Sequence, residues 1–242
     1  MEDGRLQPGD VSNPRGHFIH FLRNGGENAQ HVFEADASTS DRHTKTNIAG
    51  RQSLLRVLRF VRSLPGCENA CILKAQPETA VRETYRIVGE VQITHQDYTS
   101  GRIFDDAISY SFYPIDLHDH DGVKPKPLSE GIIATVPLRA LIPKESRNLL
   151  VAGRSVSSDR LANSALRVQA SCMAMGQAAG AAAALSARLE TTPGQVSVTA
   201  LHELLIQHGA IVPSLDMKKF RDGTINANES SANYHQEKVL SS

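Results

Sequence analysis

The chain has 242 residues, of which 40% are hydrophobic and 21% charged, with 26 basic and 26 acidic side chains and so no formal net charge. That balance excludes a nucleic-acid or membrane-surface role built on bulk charge, and with no Trp and 5% aromatic residues an aromatic stacking platform for single strands is excluded too. Three cysteines, Cys67, Cys71 and Cys172, are an odd number in a chain long enough to bury a core without staples, so free thiols are expected.

In chain order, the first ten residues show no basic segment followed by an apolar run, which predicts a cytoplasmic protein without a secretory signal. Residues 1–50 are polar and rich in Gly, Asn and Asp, with short apolar alternations at 17–22 and 31–33 that predict strands joined by loops. From Thr46 to Ser63 the residues Ile48, Leu54, Leu55, Leu58 and Val61 recur at helical spacing. Arg51, Arg56, Arg59 and Arg62 fall on other faces as a solvated stripe, and Pro65 and Gly66 stop the helix. Residues 85–94 read as a strand and 94–101 as a turn or short helix.

The densest polar cluster follows, with Asp116, His118, Asp119, His120 and Asp121 alternating before the Pro-rich loop ending at Pro127. Its donors are metal-like in composition, yet adjacent ligands in one loop are geometrically cramped and no H-E-x-x-H or second cluster accompanies them. A plain acidic loop is the simplest reading, and a metal-dependent hydrolase using Asp116 to Asp121 is the rival. Residues 131–137 are β-like, and 148–152 form a short aliphatic run suited to a buried strand ending at Gly153. Arg154 then places a guanidinium where ligands of α/β sheets gather.

From Val168 to Leu189 the chain is Ala-rich, with Gly176 and Gly180 leaving one side nearly bare backbone. It is long enough to span a bilayer but carries too few large apolar residues, so a helix packed in a globular core is expected and no membrane is involved. A final amphipathic helix, Val198 to His208, buries Val198, Leu201, Leu204 and Leu205 and is capped by Gly209. Beyond 213 the sequence is a polar tail expected to be disordered. No G-x-G-x-x-G or G-x-x-x-x-G-K-[ST] phosphate loop occurs.

Several of these stretches match one family in order. Val136 to Pro143, Asn148 to Arg154 (NLLVAGR), Ala165 to Val168 and Cys172 to Ala183 (CMAMGQAAGAAA) are joined upstream by Tyr85 to Glu90, Gly101 with Phe104 to Ala107, and Tyr113 to His118. The chain resembles, over most of residues 45 to 212, the carboxyl-terminal part of the FAD-dependent oxidoreductases that include proteins labelled xanthan-lyase-related. The resemblance implies an α/β fold. A mixed-sheet substrate region fills 1–130, and 131–213 carry the last strand and helix of a Rossmann-like FAD domain, before a disordered tail at 214–242. It implies FAD as cofactor, with Gly153, Arg154, Arg167, Gly176, Gln177 and Ala178 along the ribityl chain and pyrimidine end of the flavin. It also implies hydride transfer to or from an organic small molecule, with Asp116 and His118 on the substrate face and His118 as acid or base. Tyr85 and Arg86 are candidates for substrate binding, and no residue is assigned to a metal. The family's amino-terminal glycine-rich unit has no counterpart in the sequence. The alternative is therefore a non-catalytic fragment or subunit that requires a separate nucleotide-binding half.

Overall fold

A computed structural model of the chain describes residues 6–11, 30–33, 35–119, 122–123 and 125–213. The expected strand at 17–22, the side chains of Asp119, His120 and Asp121, and the tail beyond 213 lie outside what is described. The chain divides into two compact units, one of Met1–Tyr85 with Asp116–Pro125 and one of Arg86–Ile115 with Lys126–Ser242. The partition into a substrate region at 1–130 and a cofactor region at 131–213 is a different matter, since it concerns what each part binds.

The first unit is organised by helix α1, Ser40–Arg62. It starts six residues before the expected Thr46 because Thr39 caps it, its hydroxyl accepting from the Arg42 N–H at 3.3 Å, and Asp41 favours the positive end of the helix dipole. Its inward stripe is Thr46, Ser53, Val57 and Val61, whereas Ile48 and Leu55, expected inside, are 52% and 44% exposed. The reason is polar. Asp10 is buried, and its carboxylate accepts from Ser53 Oγ at 2.6 Å, from Arg56 Nε and Nη2 at 2.8 and 2.7 Å, and from the Gln7 N–H at 2.8 Å. Satisfying one buried carboxylate fixes the helix rotation more firmly than burying these two side chains, because an unpaired buried charge costs several kcal/mol, while Ile48 and Leu55, each about half-exposed, forfeit only part of the about 1.5–3 kcal/mol of full burial. Arg56 thus leaves the solvated stripe. Residues 31–33 form no strand; they run as coil and turn.

In the second unit the passage expected as a strand at 85–94 is extended but makes only isolated bridges, Gly89 with Pro143 antiparallel and Ile93 with Ser158 parallel. Thr94 and Asp97 form a capping box that starts α2, His95–Ser100, and Gly101 ends it at φ 67. Strand β1, Ala107–Ser111, pairs antiparallel with β4, Ala134–Pro137, through a bulge between Ala107 and Ser109. The second ladder, β2 His118–Asp119 with β3 Gly122–Val123, is a two-residue hairpin of the first unit. Both described sheets are thus two-stranded and antiparallel, so the structure mixes α and β without the mixed sheet expected. Helix α3, Arg160–Leu166, was not legible as a separate element; Asp159 caps it through the Ala162 N–H at 2.8 Å. Then come α4, Gln169–Arg188, and α5, Val198–Gln207, close to their expected limits, with Gly209 at φ 76.

The core of this unit gathers Tyr98, Ile108, Val136, Leu141, Leu166, Met175, Ala178, Leu185 and Leu201 around the buried side of α4. Residues 148–152 depart from expectation. They are not a strand, Leu149 is 51% exposed, and among the described residues their one backbone hydrogen bond runs from the Val151 N–H to the Leu141 carbonyl at 2.8 Å. An aliphatic run becomes a strand only where a neighbour completes its ladder, and no described segment does. No described helix is long and apolar enough to cross a membrane.

Candidate functional site

Two groups of candidate residues exist, one in each unit. In the second unit the aliphatic run leads into Gly153, at φ 86, and a single 3₁₀ turn over Gly153–Ser155. That left-handed backbone favours glycine because a Cβ there strains the chain, and the turn points an exposed Arg154 outward. Asn163, wholly buried on α3, holds the turn by donating from Nδ2 to the Arg154 carbonyl at 3.1 Å and to Ser158 Oγ at 3.2 Å. Arg167 ends α3, its N–H bonded to the Asn163 carbonyl at 2.9 Å.

Directly after it α4 begins with Val168 as a cap that has no side-chain acceptor and with no acidic residue in the first turn. Its first N–H groups and dipole therefore meet no opposing charge from that turn. The same turn is tied to the sheet by a buried chain in which Ser171 Oγ meets Ser111 Oγ at 3.0 Å, Ser111 Oγ meets Tyr98 OH at 2.9 Å, and Tyr98 donates to the Tyr113 carbonyl at 2.9 Å. Burial raises the Tyr98 phenol above its ordinary value, so it stays a neutral donor. Cys172 follows Ser171 directly, about 3.9 Å from where a Cβ of Gly153 would be. Burial pushes its thiol up and the Arg154 charge pulls it down, with burial prevailing. That suits a packing residue rather than a nucleophile.

Gly153, Arg154 and Arg167 are thus brought to the amino-terminal end of α4. Gly176 and Gln177 are exposed farther along the helix, where with Gly180 and Arg188 they line one wall of a groove of about 640 Å³ facing Leu204 and His208 of α5. A Cβ on Gly176 or Gly180 meets nothing within 4 Å, so this backbone is open to a flat neighbour. Ala178 is wholly buried in the core on the other side of the helix.

In the first unit Asp116 is buried and its Oδ2 lies 3.3 Å from Nε2 of His118 on β2. The other nitrogen of His118, Nδ1, lies 2.6 Å from Nε2 of His31. His31 is the site residue that the sequence does not reveal: 87 positions separate the two rings, and nothing around residue 31 has the spacing of a motif. Burial first, then the charges of His118 and Arg82, lower its pKa from 6.5 to about 4, against an opposing pull from Asp116. Tyr85 is the last residue of the first unit and 67% exposed, and Arg86 is the first of the second and half-buried. Among the described residues no group of three His, Cys, Asp or Glu side chains is placed to hold a metal ion; the side chains of Asp119, His120 and Asp121, on which the hydrolase reading relies, lie outside those residues.

A family model described as FAD dependent oxidoreductase matches residues 5–205 of this chain. No curated protein and no solved structure matches it.

Proposed function

The chain belongs to the FAD dependent oxidoreductase family, and from that premise we propose that it takes part in hydride transfer between a small organic molecule and FAD. The observation that carries the proposal is the match over residues 5–205. It is supported by the donor set at the α4 amino end, where Arg154, Arg167 and first-turn N–H groups suit an electron-rich ring edge. The open backbone at Gly176 and Gly180 suits a flat group.

In this reading 131–213 complete a Rossmann-like cofactor domain. Gly153, Arg154, Arg167, Gly176 and Gln177 hold the ribityl and pyrimidine portions, and Ala178 sets how closely that turn of α4 lies on the core. When bound, FAD supplies the hydride acceptor or donor. The chain's own residues do the rest. The α4 amino end and the two guanidiniums stabilise negative charge on the ring edge, Tyr85 and Arg86 hold the substrate, and His118, with Asp116 against it, exchanges the proton that accompanies the hydride. The protein works in the cytoplasm on a small molecule.

A second reading, that the chain is catalytically competent only with a separate nucleotide-binding half, is favoured by residues 148–152, an aliphatic run with a single backbone hydrogen bond among the described residues. The sequence also lacks a glycine-rich diphosphate loop. The visible absorbance spectrum of the purified chain, with and without added FAD and after desalting, tests both. Retained flavin bands, lost in Arg154→Met, support the first reading. Retention only alongside a nucleotide-binding partner supports the second, and no retention under either condition overturns both.

A further inference from the structure

Asn163 lies wholly inside the second unit, on α3, and both donors of its side-chain amide go to one loop. Nδ2 donates to the Arg154 carbonyl at 3.1 Å and to Ser158 Oγ at 3.2 Å, and Ser158 in turn donates to the Val156 carbonyl at 3.2 Å. The 3₁₀ turn between these points closes on itself from the Val156 N–H to the Gly153 carbonyl at 3.1 Å. We propose that Asn163 is a positioning residue of the cofactor site: it acts through Arg154, holding the Gly153–Ser155 turn so that the guanidinium stays at the α4 amino end. The Arg154 charge reaches that end, since it is felt at Cys172.

Two observations separate positioning from packing. The first is an unsatisfied pole. No described protein group donates to Asn163 Oδ1, although that atom is buried. A buried acceptor without a protein donor offsets much of what two neutral hydrogen bonds contribute, so an apolar side chain of similar size serves stability about as well. The second is what the two donors hold. Fixing a carbonyl oxygen fixes the plane of its peptide, and with the Arg154–Ser155 peptide fixed, the Cα–Cβ bond of Arg154 has one direction relative to α3. Arg167 is reached differently. Its N–H donates to the backbone carbonyl of Asn163 at 2.9 Å and its Nε to the Ser164 carbonyl at 3.4 Å. Removing the Asn163 side chain leaves both of those bonds in place and releases the Arg154 turn.

That Arg154 meets flavin rests on the proposed function; that Asn163 holds the turn does not. A site whose charged group must sit within a fraction of an ångström of its ligand needs such a support behind it, and an interaction made through Arg154 disappears when Arg154 does.

The test is Asn163→Leu in the full chain, alone and combined with Arg154→Met or with Arg167→Met. Its thermal midpoint is expected to stay within about 4 °C of wild type. The Val156 amide, which closes the turn, is expected to exchange with deuterium about tenfold faster, while amides inside α4 keep their rates. FAD titration is expected to show binding about tenfold weaker with Arg154 present, within about twofold of its reference where Arg154 is already Met, and again about tenfold weaker where Arg167 is Met. Equal losses in all three backgrounds indicate a merely structural role and overturn the proposal, as does Val156 exchange at the wild-type rate. Should the variant fail to fold, the wild type decides: Asn163 Nδ2 protons that exchange as fast as those of an exposed side-chain amide overturn the hold on the turn, and protected ones support it. Faster Val156 exchange with FAD binding intact removes the positioning role. A wild type that binds no FAD at any concentration removes the flavin reading instead, so the two failures are distinguishable.

Discussion

Asp10 is 1% exposed, and four donors converge on it. Burial pushes its carboxyl up, but the hydrogen bonds from Arg56, Gln7 and Ser53 and the Arg56 charge more than offset this, leaving it below its ordinary value. Arg56→Ala strands that charge in the interior and is expected to destabilise the first unit by about 3–5 kcal/mol. Urea unfolding followed on α1 signals checks this, and a loss below about 1 kcal/mol, the scale of an exposed pair, contradicts it. The exposed pair Arg102 and Asp97, at 2.8 Å, is the control. Periodicity along α1 reads Arg56 as solvated because its partner lies 46 residues away, and no local pattern carries that information. The same limit hides His31, whereas Gly153, which needs only a left-handed turn after an aliphatic run, is legible because its reason is local.

Most elements with local causes were legible as well, although α3, capped by Asp159, was not. The Thr94 and Asp97 capping box, the Gly101 and Gly209 stops and the alanines of α4 all act within a few residues, and the expected helices there agree with the structure to about a turn. Strands were less so, because a strand is a property of two segments; β4 lies within the β-like stretch 131–137, but β1 went unread, and residues 148–152 were read as a strand without one. Two glycines separate packing from function at this scale. A Cβ on Gly89 would lie 2.7 Å from Ser157 Cβ and 3.1 Å from the Ala140 carbonyl, so Gly89→Ala is expected to cost about 1–3 kcal/mol by overpacking. Gly176→Ala meets nothing and replaces a mid-helix glycine, so it is expected to stabilise by about 0.5–1 kcal/mol. If α4 lies against flavin there, the same variant weakens FAD retention despite being more stable. Thermal unfolding and flavin titration of the two variants give the comparison; equal retention in wild type and Gly176→Ala removes Gly176 from the cofactor surface.

For the whole molecule, acid is the informative variable. His31 binds its proton only near pH 4 when folded but at 6.5 as a free side chain, so between those values the unfolded chain holds more protons and stability falls as pH falls. The stability contributed by this group is thus fully present above 6.5 and gone by about 4. Asp10 and Asp97, both held below 3.8, add a second loss that begins near that value and continues below it. Urea midpoints measured across this range are expected to decline in two stages, and His31→Gln to flatten the upper one. A wild-type midpoint that is constant from pH 6.5 to 4.5 contradicts the assignment. What the sequence could tell at this scale was class and family; the division into two units depends on contacts that return residues 116–125 to the first unit after thirty residues of the second. The strip 148–152 carries one further consequence, for isotope exchange. Among the described residues only the Val151 amide of this strip has a backbone acceptor, so the amides of Asn148, Leu149, Leu150 and Ala152 should pick up deuterium nearly as fast as a free peptide, while those inside α4 remain protected. A proteolytic fragment spanning the strip then acts as a gauge. Its mass gain slows by up to four deuterons when a companion strand docks, and the same reading identifies the companion among candidates without any flavin or turnover.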